Sequence, residues 1–240
     1  MVLENSIRLF INTKLIGELM AEIIGQSIVT NGLICCLDAG NFFSYNGAGN
    51  TWVDISGFGA SGTRIGNISF GVGSFIFPAS IGTNYFIGGP NTYLDFTMAL
   101  RPDFTLSNDA GLVGLIGISS NVGNADKSLR CSGANGVGPW VLPNPGDAND
   151  WANSATTYYV NGIATNIMVD GWNIIGGYRT NQSAGFTTSF TYYLGTCGYN
   201  AVPNYREFRG QMGVVLFYNR QLSAAEQIQN FNTLRRRFGI

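Results

Sequence analysis

The 240-residue sequence predicts an all-β body, a sandwich or a barrel, that ends in one short helix. Three observations predict it. Short apolar runs, each bounded by Gly, Asn, Pro or Asp, recur from residue 33 to residue 219. The segment YYVNGIAT carries Asn161-Gly162, a pair that supplies the two positive-φ residues of a tight hairpin. No helical period lies between one apolar run and the next, which argues against an alternating α/β chain.

Taken in order, the predicted strands are LICCLDA, SFGVGSFIFP, NYFIGG, TYLDFTMAL, GLVGLIGIS, TTYYVNGIA, NIIGGYR, FTTSFTYYLGT and MGVVLFYN. The ending changes character. Ser223 stands three residues before Glu226, the S-x-x-E spacing of a capping box. Ile228, Phe231, Leu234 and Phe238 then form one apolar stripe, and Gly239 sits where a helix can stop. Such a helix is expected to cover an end or edge of the β body.

Residues 1–32 have a different texture. Leu3, Ile7, Phe10, Leu15, Leu19 and Ile23 recur at mixed spacings with Glu and Lys between them. Gly17 and Gly25 weaken a helical reading. We read the segment as an assembly arm or anchor outside a main domain of residues 33–240. The alternative is an ordinary first strand and helix of the core.

Composition narrows the function classes. Apolar residues make up 45% and charged residues 11%, against about 25% charged in an average domain. With 33 glycines, the solubilising surface has to come from Asn, Ser, Thr and Gly. Net charge is −1, which gives no basic field for a nucleic-acid partner. The one basic run, Arg235–Arg237, complements the negative end of the last helix or docks on an acidic neighbour. Charged residues from Glu4 to Glu22 interrupt any apolar stretch long enough for a secretory signal or a membrane span. The four cysteines, Cys35, Cys36, Cys131 and Cys197, read as small core residues in a reducing compartment. The vicinal pair is expected to point to opposite faces of a strand. A Cys131–Cys197 disulfide stays open.

Two ends of the sequence carry motifs. LDAGNFFSYNGAGNTWVDISG holds Leu37, Asp38, Ala39, Gly40, Asn41, Ser44, Tyr45, Thr51, Trp52, Asp54, Ser56 and Gly57. VVLFYNRQLSAAE holds Tyr218, Asn219, Arg220, Leu222, Ser223 and Glu226. Between them stand YYVNG, Trp172-Asn173 and Tyr193-Leu194-Gly195. This pattern resembles the concanavalin A-like (LamG-type) lectin/glucanase domains common in bacteriophage virion proteins. SFIFPASIG departs from that pattern, with Pro78 and Ala79 where the family has D-G. The resemblance implies an antiparallel two-sheet jelly-roll sandwich with an N-terminal arm and a short C-terminal helix. It does not fix a function, because the fold hosts lectins, glycosidases and scaffolds.

Chemistry is sparse. The chain has no histidine, which removes Ser-His and Cys-His nucleophiles and His-based metal sites. Glu occurs only at positions 4, 18, 22, 207 and 226, none with Asp two residues on, so no local E-x-D-x-x-E pair for glycoside hydrolysis exists. Asp54 organises a turn through its own backbone; a calcium site there would rest on one carboxylate among carbonyls. We therefore expect no catalytic residues, no cofactor, no metal and no enzymatic activity. The most suggestive surface segment is GPWVLPNPGDANDW, where Trp140 and Trp151 flank Asp147, Asn149 and Asp150. Aromatic faces beside amides and carboxylates suit sugars, and the same set suits a protein interface. Alternatively the tryptophans pin a long loop to the body.

The expectation is a non-enzymatic virion structural protein, a capsid decoration (cement) or tail/fibre component docking through residues 1–32. Its partners would be other virion proteins and further copies of itself, assembled in the host cytoplasm, with neither nucleic acid nor membrane. The alternative is a carbohydrate-binding adhesin module on the particle surface.

Overall fold

The run GQMGVVLFY shows no polar alternation, and its position explains why. It forms β16 (Gly210–Tyr218), which runs through the interior of a sheet whose two faces are both covered. The structure is a computed structural model and describes residues 27–78, 84–91, 95–103, 112–119, 127–134, 137–142, 157–178, 190–196 and 207–240. The expected arm residues Leu3, Ile7, Phe10, Leu15, Leu19 and Ile23 lie outside these, as does any Cys131–Cys197 pairing.

Two antiparallel sheets face each other. Sheet A is built from β1 (Leu33–Asp38), β4 (Ser69–Gly71), β5 (Ser74–Phe77), β7 (Asp95–Pro102), β11 (Tyr158–Val160), β12 (Ile163–Ala164), β14 (Asn173–Tyr178) and β16. Its order is β12-β11-β14-β7-β16-β5-β4. One edge of β16 pairs along its length with β7. The other edge is shared: β5 takes residues 210–212 and β1 takes residues 214–218. Sheet B is built from β2 (Thr51–Trp52), β3 (Gly62–Ile65), β6 (Tyr85–Asn91), β8 (Leu112–Ser119), β9 (Lys127–Ala134), β10 (Val137–Val141), β13 (Ile167–Met168) and β15 (Phe190–Leu194). Its order is β13-β10-β9-β8-β15-β6-β3-β2. Consecutive strands cross repeatedly between the layers, as a jelly-roll sandwich requires.

Period-2 alternation divides sheet A into an inner and an outer set. Leu37, Phe75, Phe96, Met98, Ile175, Val215 and Phe217 point at sheet B and meet Trp52, Phe86, Tyr192 and Leu194. Trp52 is fully buried against the rings of Phe75 and Phe86, at 4.8 and 5.2 Å between centroids. Cys36, Ala99, Ile174, Val214, Leu216 and Tyr218 point the other way and form a second core. The vicinal cysteines divide as expected, Cys35 into the first core and Cys36 into the second, and both are free thiols. Burial pushes both thiols up, Cys36 to about 12, so neither is a reactive thiolate.

The second core needs a lid, and α1 (Ala224–Phe238) supplies it together with residues 27–32. The capping box forms as read: Ser223 Oγ accepts from Glu226 N, and Glu226 Oε2 accepts from Ser223 N at 2.9 Å. Gly239 ends the helix at φ 70°. Two expectations need correcting. The helix lies over the outer face of sheet A, not an end or edge of the sandwich. Its buried side is also offset from the apolar stripe: Ile228 is 41% exposed, whereas Gln227 and Asn230 are buried with Leu234. The reason is polar satisfaction, since sheet A presents Asp95, Thr97 and Tyr218 at this face and they need partners.

The YYVNGIAT hairpin is present, with Asn161 at φ 52° and Gly162 at φ 77° between β11 and β12. Gly162 is also required sterically, because a Cβ there would meet the Phe231 ring at 2.7 Å. Strands β9 and β10 were not read from sequence. β10 takes up VGPWV, so Trp140 stands on a strand and not in a loop. Pro139 falls where the β9–β10 register shifts, the place a sheet tolerates it.

Candidate functional site

The motif residues near the start are engaged in holding the fold. Asp54 is buried, and its carboxylate accepts from Cys36 N (2.8 Å), Ser56 N (2.9 Å), Ser56 Oγ (2.9 Å) and Ala60 N (2.9 Å). Four donors converge on it, so it ties a turn to β1 and has little lone-pair capacity left for a cation. Asp38 accepts from Gly40 N at 2.9 Å and pairs with Arg237, which also donates to Gly73 O at 3.0 Å. Ser44 Oγ donates to Val53 O at 2.6 Å. Among the described residues no three His, Cys, Asp or Glu side chains gather as a metal site. No helix among them is long and apolar enough to cross a membrane.

Of the sequence-chosen residues, Trp140 alone lies among the described residues. Trp140 pairs through its backbone with Met168 at the β10–β13 end of sheet B. Asp147, Asn149, Asp150 and Trp151 lie outside the described residues.

The outer face of sheet B presents a different constellation. In β6 and β15, Phe86, Tyr192 and Leu194 are fully buried in the core. Alternation therefore turns Tyr85, Ile87 and Tyr193 outward, where each is half-buried. Cross-strand register lines up Thr63, Ile87, Tyr193, Gly117 and Ser128 in one row over five strands. The rings of Tyr85 and Tyr193 meet edge to face, with centroids 5.5 Å apart. Opposite Tyr193 on the next strand stands Gly117, which brings no side chain to that flank. The result is a two-ring platform bordered by Thr63 and Thr191, with phenol hydroxyls and apolar ring faces side by side. No single segment encodes it. Only the pairing of β6 with β15 brings the two tyrosines together, and the one local signal was the alternation in NYFIGG and FTYYLG.

The platform is held from behind. Tyr192 Oη donates to Ala60 O at 2.5 Å, and Gly62 and Gly88 leave room for its ring. The Asp54 turn, the Tyr192 phenol and the strands bearing Tyr85 and Tyr193 thus form one connected frame.

No protein-family model matches the chain, and no curated protein matches it in sequence. Solved structures do match it in fold. A Trypanosoma rangeli sialidase in complex with 2,3-difluorosialic acid superposes with a TM-score of 0.58 and 16% identity, covering 87% of this chain and 34% of the sialidase chain. A mutant of that sialidase with trans-sialidase activity gives 0.55 and 16%, covering 87% and 34%. Domain 4 of a Geobacillus stearothermophilus GH43 extracellular arabinanase, in complex with arabinotriose, gives 0.47 and 13%, covering 83% and 98%. The chain spans about a third of the sialidases it resembles. The likeness is one of fold alone, an antiparallel β-sandwich.

These neighbours overturn the expectation that the chain stands apart from enzymes, since the sialidases are enzymes. The physical reason lies in what the sequence argument tested. Absence of histidine and of a Glu/Asp pair removes two routes to catalysis, whereas sialidases employ a tyrosine nucleophile. At 16% identity the likeness assigns no catalytic residue to this chain.

Proposed function

We propose that the chain is a glycan-recognising module acting through the outer face of sheet B. The observation that carries this reading is the Tyr85–Tyr193 pair beside Gly117. Sugar rings offer CH faces to aromatic planes and hydroxyls to phenols and threonines, and the platform supplies both on neighbouring strands. A preformed, strand-borne site also spends little entropy on ordering. The β-sandwich fold is compatible with it, and the sialidase neighbour holds a sugar analogue in its own structure.

A glycan array followed by calorimetry on the hits tests this. Tyr85→Ala and Tyr193→Ala abolish binding while the melting temperature stays within a few degrees. A blank array, or hits indifferent to both tyrosines, removes the proposal.

A second reading has its own support. Phe42, Phe43 and Phe58 are 73%, 80% and 69% exposed on the loops that carry the first motif. Exposed aromatics suit docking on other protein, as a capsid decoration or tail/fibre component of a virion would require. Such a protein would assemble in the host cytoplasm, with residues 1–26 as its arm, since residues 27–32 pack on the second core. Deleting residues 1–26 then leaves a folded sandwich that no longer joins particles. Unimpaired incorporation of the truncated chain removes this reading.

A further inference from the structure

A cleft of about 380 Å³ opens on the other side of the molecule, between the first turn of α1 and the strands β11 and β14. Thr157, Tyr159, Tyr178, Gln221, Ser223 and Ala224 line it. Thr157, Gln221, Ser223 and Ala224 are exposed, and Tyr159 and Tyr178 are half-buried, so a ligand can reach all of them. Asp95, Leu222 and Gln227 form the buried floor. The volume lies in the range of small-molecule sites, about 300–1,000 Å³.

The charges around the cleft are already committed. Asp95 is fully buried and accepts from Phe96 N (2.7 Å), Leu222 N (2.8 Å) and Gln227 Nε2 (2.8 Å). Arg220 grips Glu226 through two hydrogen bonds of 3.0 and 2.6 Å. One cation against two carboxylates leaves the surroundings negative, which repels an anionic ligand. The reachable groups are two phenols, the Thr157 hydroxyl and the Gln221 amide; the Ser223 hydroxyl is taken by Glu226.

We propose that this cleft is a second binding site, for a neutral polyhydroxylated ligand such as the end unit of an uncharged oligosaccharide. Two rings serve the CH faces of a pyranose; the Thr157 hydroxyl and the Gln221 amide serve its hydroxyls. The cleft stands on sheet A, behind the sandwich from the Tyr85–Tyr193 platform, so it does not depend on that platform binding anything. If both sites are occupied, one chain holds two glycan units on opposite faces, which favours branched or densely displayed sugars through multivalency.

Saturation-transfer NMR on the full chain tests it, with cellobiose, maltose and lactose as probes and 3′-sialyllactose as the anionic comparison. The background is Tyr193→Ala, which removes the sheet B platform from the measurement. A neutral disaccharide gives transfer in this background. Adding Tyr159→Ala and Tyr178→Ala weakens it about tenfold, roughly 1.4 kcal/mol. Gln221→Trp, an exposed change that fills the mouth, does the same without touching the core, and circular dichroism confirms folding. Loss of all transfer in Tyr193→Ala alone would leave sheet B as the binding face and overturn the second site. Transfer from none of the three neutral probes, transfer unaffected by both cleft variants, or equal transfer from 3′-sialyllactose overturns it too.

Discussion

Gln227 Nε2 donates to Asp95 Oδ1 across 2.8 Å, joining the underside of α1 to the first residue of β7. Burial pushes the Asp95 carboxyl up to about 6, against the opposing pull of its hydrogen bonds from Leu222, Phe96 and Gln227 and of Arg220 nearby. Its unfolded value is about 3.9. Between those two values the native state holds a proton that the unfolded chain releases. The contribution of Asp95 is therefore fully present below about pH 4 and is lost as pH rises through 6, a change of about 3 kcal/mol. Urea denaturation of wild type and Asp95→Asn from pH 4 to 7 reads this as a falling difference in unfolding free energy. Glu226, held down to about 2 by Arg220 and the Ser223 cap, titrates below that window. A flat difference would refute the assignment.

Asn230 is the second polar tie beneath the helix. Its Oδ1 accepts from Val29 N at 2.8 Å, and its Nδ2 donates to Thr97 Oγ1 and Tyr218 Oη at 3.0 Å each. Tyr218 Oη in turn donates to Val29 O at 3.1 Å. Asn230→Leu is nearly the same size, yet it leaves Val29 N–H buried without a partner. We expect a loss of about 2–4 kcal/mol by chemical denaturation, and none of consequence from the exposed change Ile228→Ala.

Asp54→Ala orphans the buried N–H groups of Cys36 and Ala60 together. The expected loss is about 3–5 kcal/mol, from hydrogen bonds to a charged acceptor worth roughly 1.5–3 kcal/mol each. Calcium or a chelator leaves the wild-type melting temperature unchanged if the carboxylate is structural, as its four donors indicate. A calcium-dependent rise in melting temperature would reverse that view.

Gly88→Ala tests the support of the platform. A Cβ at this position would collide with the Tyr192 phenol and come within 2.5 Å of the Ser61 backbone oxygen. Backbone cannot yield as a side chain does, so we expect about 1–3 kcal/mol of destabilisation and weakened binding at Tyr85–Tyr193.

Much of the fold was legible because apolar runs, the Asn161-Gly162 turn and the Ser223–Glu226 box are local signals. β9 was missed because KSLRCSGA mixes charged and small residues with no alternation to read. The buried side of α1 was misjudged because hydrophobicity pointed to Ile228, while Gln227 and Asn230 are drawn inward by Asp95, Thr97 and Tyr218 on distant strands. The platform was hidden for the same reason. Tyr85 and Tyr193 are unremarkable until the register of β6 and β15 sets their rings 5.5 Å apart.

The late position of β16 in the chain shapes how the protein is made. Until Gly210 and its successors emerge from the ribosome, β7 on one side and β1 with β5 on the other are two half-sheets with no middle. Each shows an open row of amides and carbonyls, the kind of edge that recruits strands from neighbouring nascent chains. Synthesis adds about 5–20 residues per second, so that exposure outlasts most folding steps. A chaperone that shields β7 during translation would raise the yield of this protein more than any repair of the finished molecule.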